Sequence, residues 1–207
     1  MTPIVTLSVD PGAKSGVAVY RDGNTPLLET VGGSLESIRA LVLEIYSPGT
    51  VQAIVTEGQW MATGVLGDDE RGRTIHSVLS VVRCAAHWEG VAACYGFAVL
   101  PQMSPNTWQA LLPKTPGVKR ASLAPAFAQA KLGLPRLPTE DQAAAALIGA
   151  ITHVERLIRL GGTVPPWLSW AALAAAKRQP SKKSTTNSQD REIAASRRRR
   201  RTKGAQP

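Results

Sequence analysis

The chain has 207 residues, with 24 Lys and Arg against 15 Asp and Glu, for a formal net charge of +9. Eleven of the basic residues and two of the acidic ones lie between Lys177 and Pro207, so residues 1–176 hold thirteen of each sign and are neutral. This uneven distribution means that the high isoelectric point does not mark the body as a nucleic-acid binder; only the tail carries that signal.

The first predicted strand, Ile4 to Val9, ends at the turn signal Asp10-Pro11-Gly12. A second, Gly16 to Tyr20, and a third, Leu27 to Val31, are joined by Arg21-Asp22-Gly23-Asn24 and read as a hairpin. Ser34 is placed to cap a helix with Ile38, Leu41, Val42 and Ile45 on one face. Val51 to Thr56 is a short apolar strand that ends at Glu57, and a Gly-rich loop follows from Gly58 to Gly72. A long helix is expected from Arg73 to Tyr95, its apolar face carrying Ile75, Val78, Leu79 and Val82. A fifth strand spans Phe97 to Leu100. Helices are then expected over Pro105 to Leu112, Val118 to Leu132 and Thr139 to Leu160, with a short one from Trp167. From Lys177 onward the chain loses its apolar content and reads as disordered.

This order predicts an α/β fold, a five-stranded mixed sheet with helices on both faces. Residues 1–176 form one domain and 177–207 a disordered basic tail. No window approaches the roughly 18 unbroken apolar residues of a membrane span, and the opening MTPIVTLSVDPG does not read as a signal peptide. Cys84 and Cys94 fall ten residues apart in one expected helix, roughly 15 Å along its axis, too far to bond to each other. Reduced thiols and a cytoplasmic setting are the expectation. His76, His87 and His153 have no partners at ligand spacing and read as core or surface residues.

Three acids stand at element ends: Asp10 after the first strand, Glu57 after the fourth and Asp141 at the start of a late helix. If the first and fourth strands are parallel neighbours, Asp10 and Glu57 share one sheet edge and the late helix brings Asp141 to them. Such a cluster repels itself unless cations sit in it. Oxygen ligands suit Mg²⁺ or Mn²⁺, and two ions about 4 Å apart would serve phosphodiester hydrolysis. Each acid also has a plain structural role. Asp10 is a turn former, Glu57 a solvated strand end, and Glu140 and Asp141 fall in a capping-box pattern between Thr139 and Gln142.

The stretches Leu7 to Val19 and Ala53 to Ala62, with Glu57 and an aromatic three residues later at Trp60, resemble the first two motifs of the RuvC family of Holliday-junction resolvases, within the RNase H-like superfamily. Ser77 to Pro113 is similar to the family's long helix and the strand after it, and Ile148 to His153 to the helix that carries its last acids. The resemblance covers about residues 4–160. It implies a homodimer that nicks two opposed strands of a four-way junction with Mg²⁺ or Mn²⁺, two ions per site. Asp10, Glu57 and Asp141 match three of the family's four metal-site positions, and the fourth falls on Ala144. Alanine cannot bind a metal. An aspartate-to-alanine exchange that leaves the chain inactive is the favoured explanation, because one replacement restores the pattern. Glu140, four residues before Ala144, is a possible substitute. The rival reading is a branched-DNA-binding protein that lost catalysis, and a third is a related nuclease acting on other branched or hybrid substrates.

DNA contacts are expected from Trp60, whose indole would stack at the junction centre, and from Gln59 beside it. Arg71 and Arg73 flank the start of the long helix, and Lys114, Lys119 and Arg120 precede a helix start where phosphate binding is favourable. Trp108, with Leu111 and Leu112 beside it, reads as core. The small residues Ala85, Ala86, Gly90, Ala92 and Ala93 suit a dimer contact or close packing on the chain's own sheet. Arg197, Arg198, Arg199, Arg200 and Arg201 would neutralise phosphates without reading sequence.

Overall fold

The computed structural model describes residues 3–21, 24–58 and 75–178. The chain divides into two compact units, Met1–Ala175 and Ala176–Pro207, and the sheet lies in the first. Five strands build it: β1 (Ile4–Asp10), β2 (Lys14–Arg21), β3 (Leu27–Gly32), β4 (Val51–Thr56) and β5 (Ala98–Val99). Their order is β3-β2-β1-β4-β5. The pairs β1/β2 and β2/β3 are antiparallel, and β1/β4 and β4/β5 are parallel. The expected mixed sheet is present, with helices on both faces.

Strand parity decides which helices each face meets. Val5, Leu7 and Val9 of β1, Val17 and Val19 of β2 and Ile54 of β4 pack on helix α1 (Leu35–Ile45) and helix α2 (Ile75–Cys94). Their alternate neighbours, including Ala18, Tyr20 and Val55, pack on the other layer. That layer holds α3 (Pro105–Gln109), α4 (Ala124–Leu132), α5 (Glu140–Arg159) and α6 (Ser169–Arg178). Because β1 is covered on both faces, its polar residues must be satisfied within the protein. Ser8 Oγ donates to the Ala145 carbonyl at 2.8 Å, and Thr6 Oγ1 lies 2.9 Å from His153 Nδ1. Arg156 donates to Thr6 Oγ1 and to the carbonyls of Val5 and Val51.

Two glycines let α5 lie against the sheet. A Cβ on Gly149 would sit 2.3 Å from Ser8 Oγ and 2.4 Å from the Tyr20 ring. One on Gly16 would sit 2.1 Å from the Asp141 backbone. Neither leaves room for a side chain.

Several element expectations are corrected. In α2, Leu79 is 53% and Val82 44% exposed; the inward positions are Val78, Cys84, Ala85, Trp88 and Ala92. Trp88 sets this face: its ring is fully buried and its Nε1 donates to Ser15 Oγ at 3.0 Å. Helix α3 stops at Gln109 rather than Leu112, because Pro113 disfavours helical geometry just before it. The helix expected from Val118 is a 3₁₀ turn over Arg120–Leu123 followed by α4 at Ala124. Pro125 lacks an N–H and is accommodated only in a first turn, so α4 begins beside it. Helix α6 runs through Lys177 and Arg178, two residues into the expected tail. The two thiols are free, Cys84 buried and Cys94 exposed. No described helix is long and apolar enough to cross a membrane.

Candidate active site

The register of the sheet brings the acids together. Val9 pairs with Thr56, and the Glu57 N–H continues that parallel ladder by donating to the Val9 carbonyl at 2.9 Å. Glu57 thus lies one step past Thr56, level with Asp10 and on the same sheet face. On the other side of β1, Asp10 pairs with Gly16, the residue against which the Asp141 backbone packs. Glu57, Asp10 and the start of α5 therefore stand side by side across β4, β1 and β2.

The first turn of α5 is fixed without using its acids. Thr139 and Gln142 form a reciprocal capping box, and Gln142 Nε2 also reaches Thr30 Oγ1 at 3.1 Å. The expected capping box is present, and it leaves Glu140 and Asp141 exposed. Both carboxylates also favour the positive end of the helix. Asp10, Glu57, Glu140, Asp141 and Ala144 line one cavity of about 430 Å³, with Val78, Val81, Pro105 and Trp108 on its apolar wall. Ala144 is 2% exposed. Positions 140, 141 and 144 thus share the face of α5 that the spacing predicted.

The turn after Asp10 is braced from beneath, where Cys84 Sγ donates to the Gly12 carbonyl at 3.2 Å beside the Trp88–Ser15 bond. Glu57, 6% exposed, accepts at Oε1 from Trp108 Nε1 at 2.9 Å. Trp108 belongs to the core, as its apolar neighbours implied, and also to the site. The signal was available: a buried indole N–H needs an acceptor.

Four carboxylates at one cavity, with no thiolate or imidazole among its lining residues, are the donor chemistry of a hard divalent cation. Among the described residues no three His, Cys, Asp or Glu groups close around a single point. The fit is therefore one of donor type, and at position 144 a methyl group faces the cavity.

Lys114 and Lys119 are exposed and Arg120 is half-buried. Arg120 opens the 3₁₀ turn whose next residue, Ala121, lines the cavity. The helix start expected at Val118 falls instead at Ala124, directly after that four-residue turn. Gln59, Trp60, Arg71, Arg73 and Arg197 to Arg201 lie outside the described residues. In α2, Ala85 and Ala92 pack on the chain's own core, whereas Ala86, Gly90 and Ala93 are exposed.

The strand order β3-β2-β1-β4-β5 gives the five-stranded mixed α/β sheet that the sequence predicted. Among solved structures, the chain is similar to RuvC from Thermus thermophilus at 20% identity and a TM-score of 0.48, covering 76% of this chain and 96% of that one. It is similar to T. thermophilus RuvC in complex with Holliday junction substrate at 18% identity and a TM-score of 0.45, covering 72% and 91%. No protein-family model matches the sequence, and neither does any curated protein.

Proposed function

We propose that this chain is a structure-selective DNA-binding protein of the metal-dependent nuclease type, directed at four-way junctions, with its catalytic set one acid short. The observation that carries the reading is the single cavity shared by Asp10, Glu57, Asp141 and Ala144. Asp10, Glu57 and Asp141 would hold Mg²⁺ or Mn²⁺. When bound, such ions supply an activated water and neutralise charge at the leaving oxygen. Lys114, Lys119 and Arg120 would meet the phosphate backbone; Arg120 directly precedes Ala121, which lines the cavity. Trp60 and Gln59 would meet bases, and Arg71 and Arg73 the backbone.

Cutting two opposed strands requires two sites, so the reading includes a homodimer. The exposed α2 residues Leu79, Val82, Ala86, Gly90 and Ala93 support a contact between copies. The basic segment beyond Ala176 would add attraction without sequence readout. Removing it should reduce the slope of log K against log salt, about −0.9 per phosphate neutralised; an unchanged slope would dismiss that role.

The test is Mg²⁺-dependent nicking of a four-way junction by this chain and by its Ala144→Asp variant. We expect junction binding by both and cleavage chiefly by the variant. No gain on replacement removes the missing-acid reading and favours Glu140 as the working substitute if the unmodified chain cuts. Binding without cleavage by either supports the second reading, a silent branched-DNA binder, which the buried Ala144 methyl favours. Flap and RNA:DNA hybrid substrates in the same assay separate junction preference from other branched or hybrid targets.

A further inference from the structure

We infer that Trp108 is a positioning residue for Glu57, an inference that rests on the cation-binding role proposed above. A buried carboxylate must have hydrogen-bond donors around it. An indole N–H donates and cannot accept, so it fixes one carboxylate oxygen without competing for a cation. The backbone supplies the aim. Met103 bridges to Glu57 in parallel register; its N–H donates to the Thr56 carbonyl at 2.9 Å, and its own carbonyl accepts from Gly58 at 2.8 Å. Ser104 then caps α3, accepting from the Asn106 N–H, and one turn later the helix delivers Trp108. Strand end and helix are thus stitched together at the residue whose side chain the helix must hold.

The indole itself is locked. Trp108 is 3% exposed and packs in the layer that holds Leu112, Ala124, Ala128 and the alanines of α5. Its ring also forms part of the cavity wall that Ala144 shares. Held this way, Trp108 sets where the Glu57 carboxylate points, and so where a cation between Glu57 and Asp10 would sit. It acts through Glu57, as a positioning residue rather than a catalytic one.

The experiment is a Mn²⁺ titration, by calorimetry or by the electron paramagnetic signal of free Mn²⁺, of the chain, its Trp108→Phe variant and its Leu112→Ala variant. Trp108→Phe keeps an aromatic in the core and deletes the donor. Mn²⁺ affinity should fall about 10- to 100-fold, the range found when a ligand loses its supporting partner. Leu112→Ala disturbs the same core without removing the donor to Glu57; it should lower the melting temperature and leave Mn²⁺ affinity within about twofold of the parent, well below that range. Equal affinity of Trp108→Phe and parent overturns the positioning role and leaves the proposed function standing. No Mn²⁺ binding by the chain or by Ala144→Asp sinks the proposed function, and this inference with it. A second readout needs no change at position 108. The indole ¹⁵N–¹H resonance that moves in Glu57→Ala should also move when Mg²⁺ is added to the unmodified chain, and a static resonance counts against the inference.

Discussion

Strand β1 presents three polar side chains to α5, Thr6, Ser8 and Asp10, and the structure treats the two ends of that row differently. Thr6 and Ser8 are buried and engaged by His153, Arg156 and a helix carbonyl. Tyr20 joins them, its hydroxyl donating to the Ala146 carbonyl at 2.6 Å. Asp10 stands at the end of the same row and opens to the cavity. Small neutral groups can be buried because a carbonyl already bonded within a helix retains a second lone pair to offer. A carboxylate cannot be satisfied so cheaply and stays at the rim. One face of one strand therefore grades from a sealed polar seam, which sets where the helix lies, to an open acidic edge suited to chemistry.

Variants that break this contrast should differ by end. In an Ala144→Asp background, Asp10→Asn should reduce junction nicking by more than about 100-fold, beyond the usual effect of losing a supporting residue. Its melting temperature should change less than that of any seam variant, and the reverse pattern would refute the division. At the sealed end, Gly149→Val should cost about 3 kcal/mol or more by denaturant unfolding, because the added carbons meet Ser8 and Tyr20 head-on. Arg156→Met should cost about 2 kcal/mol, since the Val5 and Val51 carbonyls lose a buried donor.

Tyr20→Phe should cost about 1 kcal/mol for one hydrogen bond. Burial pushes the Tyr20 hydroxyl well above its ordinary range, so the folded state keeps it neutral where the unfolded chain ionises it, above a pH of about 10. The parent should therefore lose stability as pH rises past that point, and the Phe variant should lose less. Equal alkaline slopes for the two proteins would place the titrating group elsewhere.

Much of this was readable in the chain because it depends on period and punctuation. Alternation in Ile4 to Val9 sets which side of β1 Asp10 occupies, and Ser34 and Thr139 mark helix starts where the structure has them. Spacing also placed 141 and 144 on one helical face. Tertiary choices were less legible. Helix α2 has apolar residues on more than one face, and only the buried Trp88 selects Val78 over Leu79 and Val82. The bond from Trp108 to Glu57 joins positions 51 residues apart, and no local period encodes it. The run of helix formers from Val118 masks the start of α4, which Pro125 sets at Ala124.

The close seat of α5 on Gly16 and Gly149 has a consequence for when the protein becomes competent. The contacts that dock this helix join residues as far apart as 137 and 147 positions, such as Ser8 with Ala145 and Thr6 with His153. Closing loops of that length comes late and all at once. A nascent chain that has made β1, β4 and α2 owns Asp10 and Glu57 but has no helix to complete the cavity. Assembly of the acidic edge is thereby tied to the docking of the last large helix, and a chain ending before α5 lacks the cavity side that Glu140, Asp141 and Ala144 line.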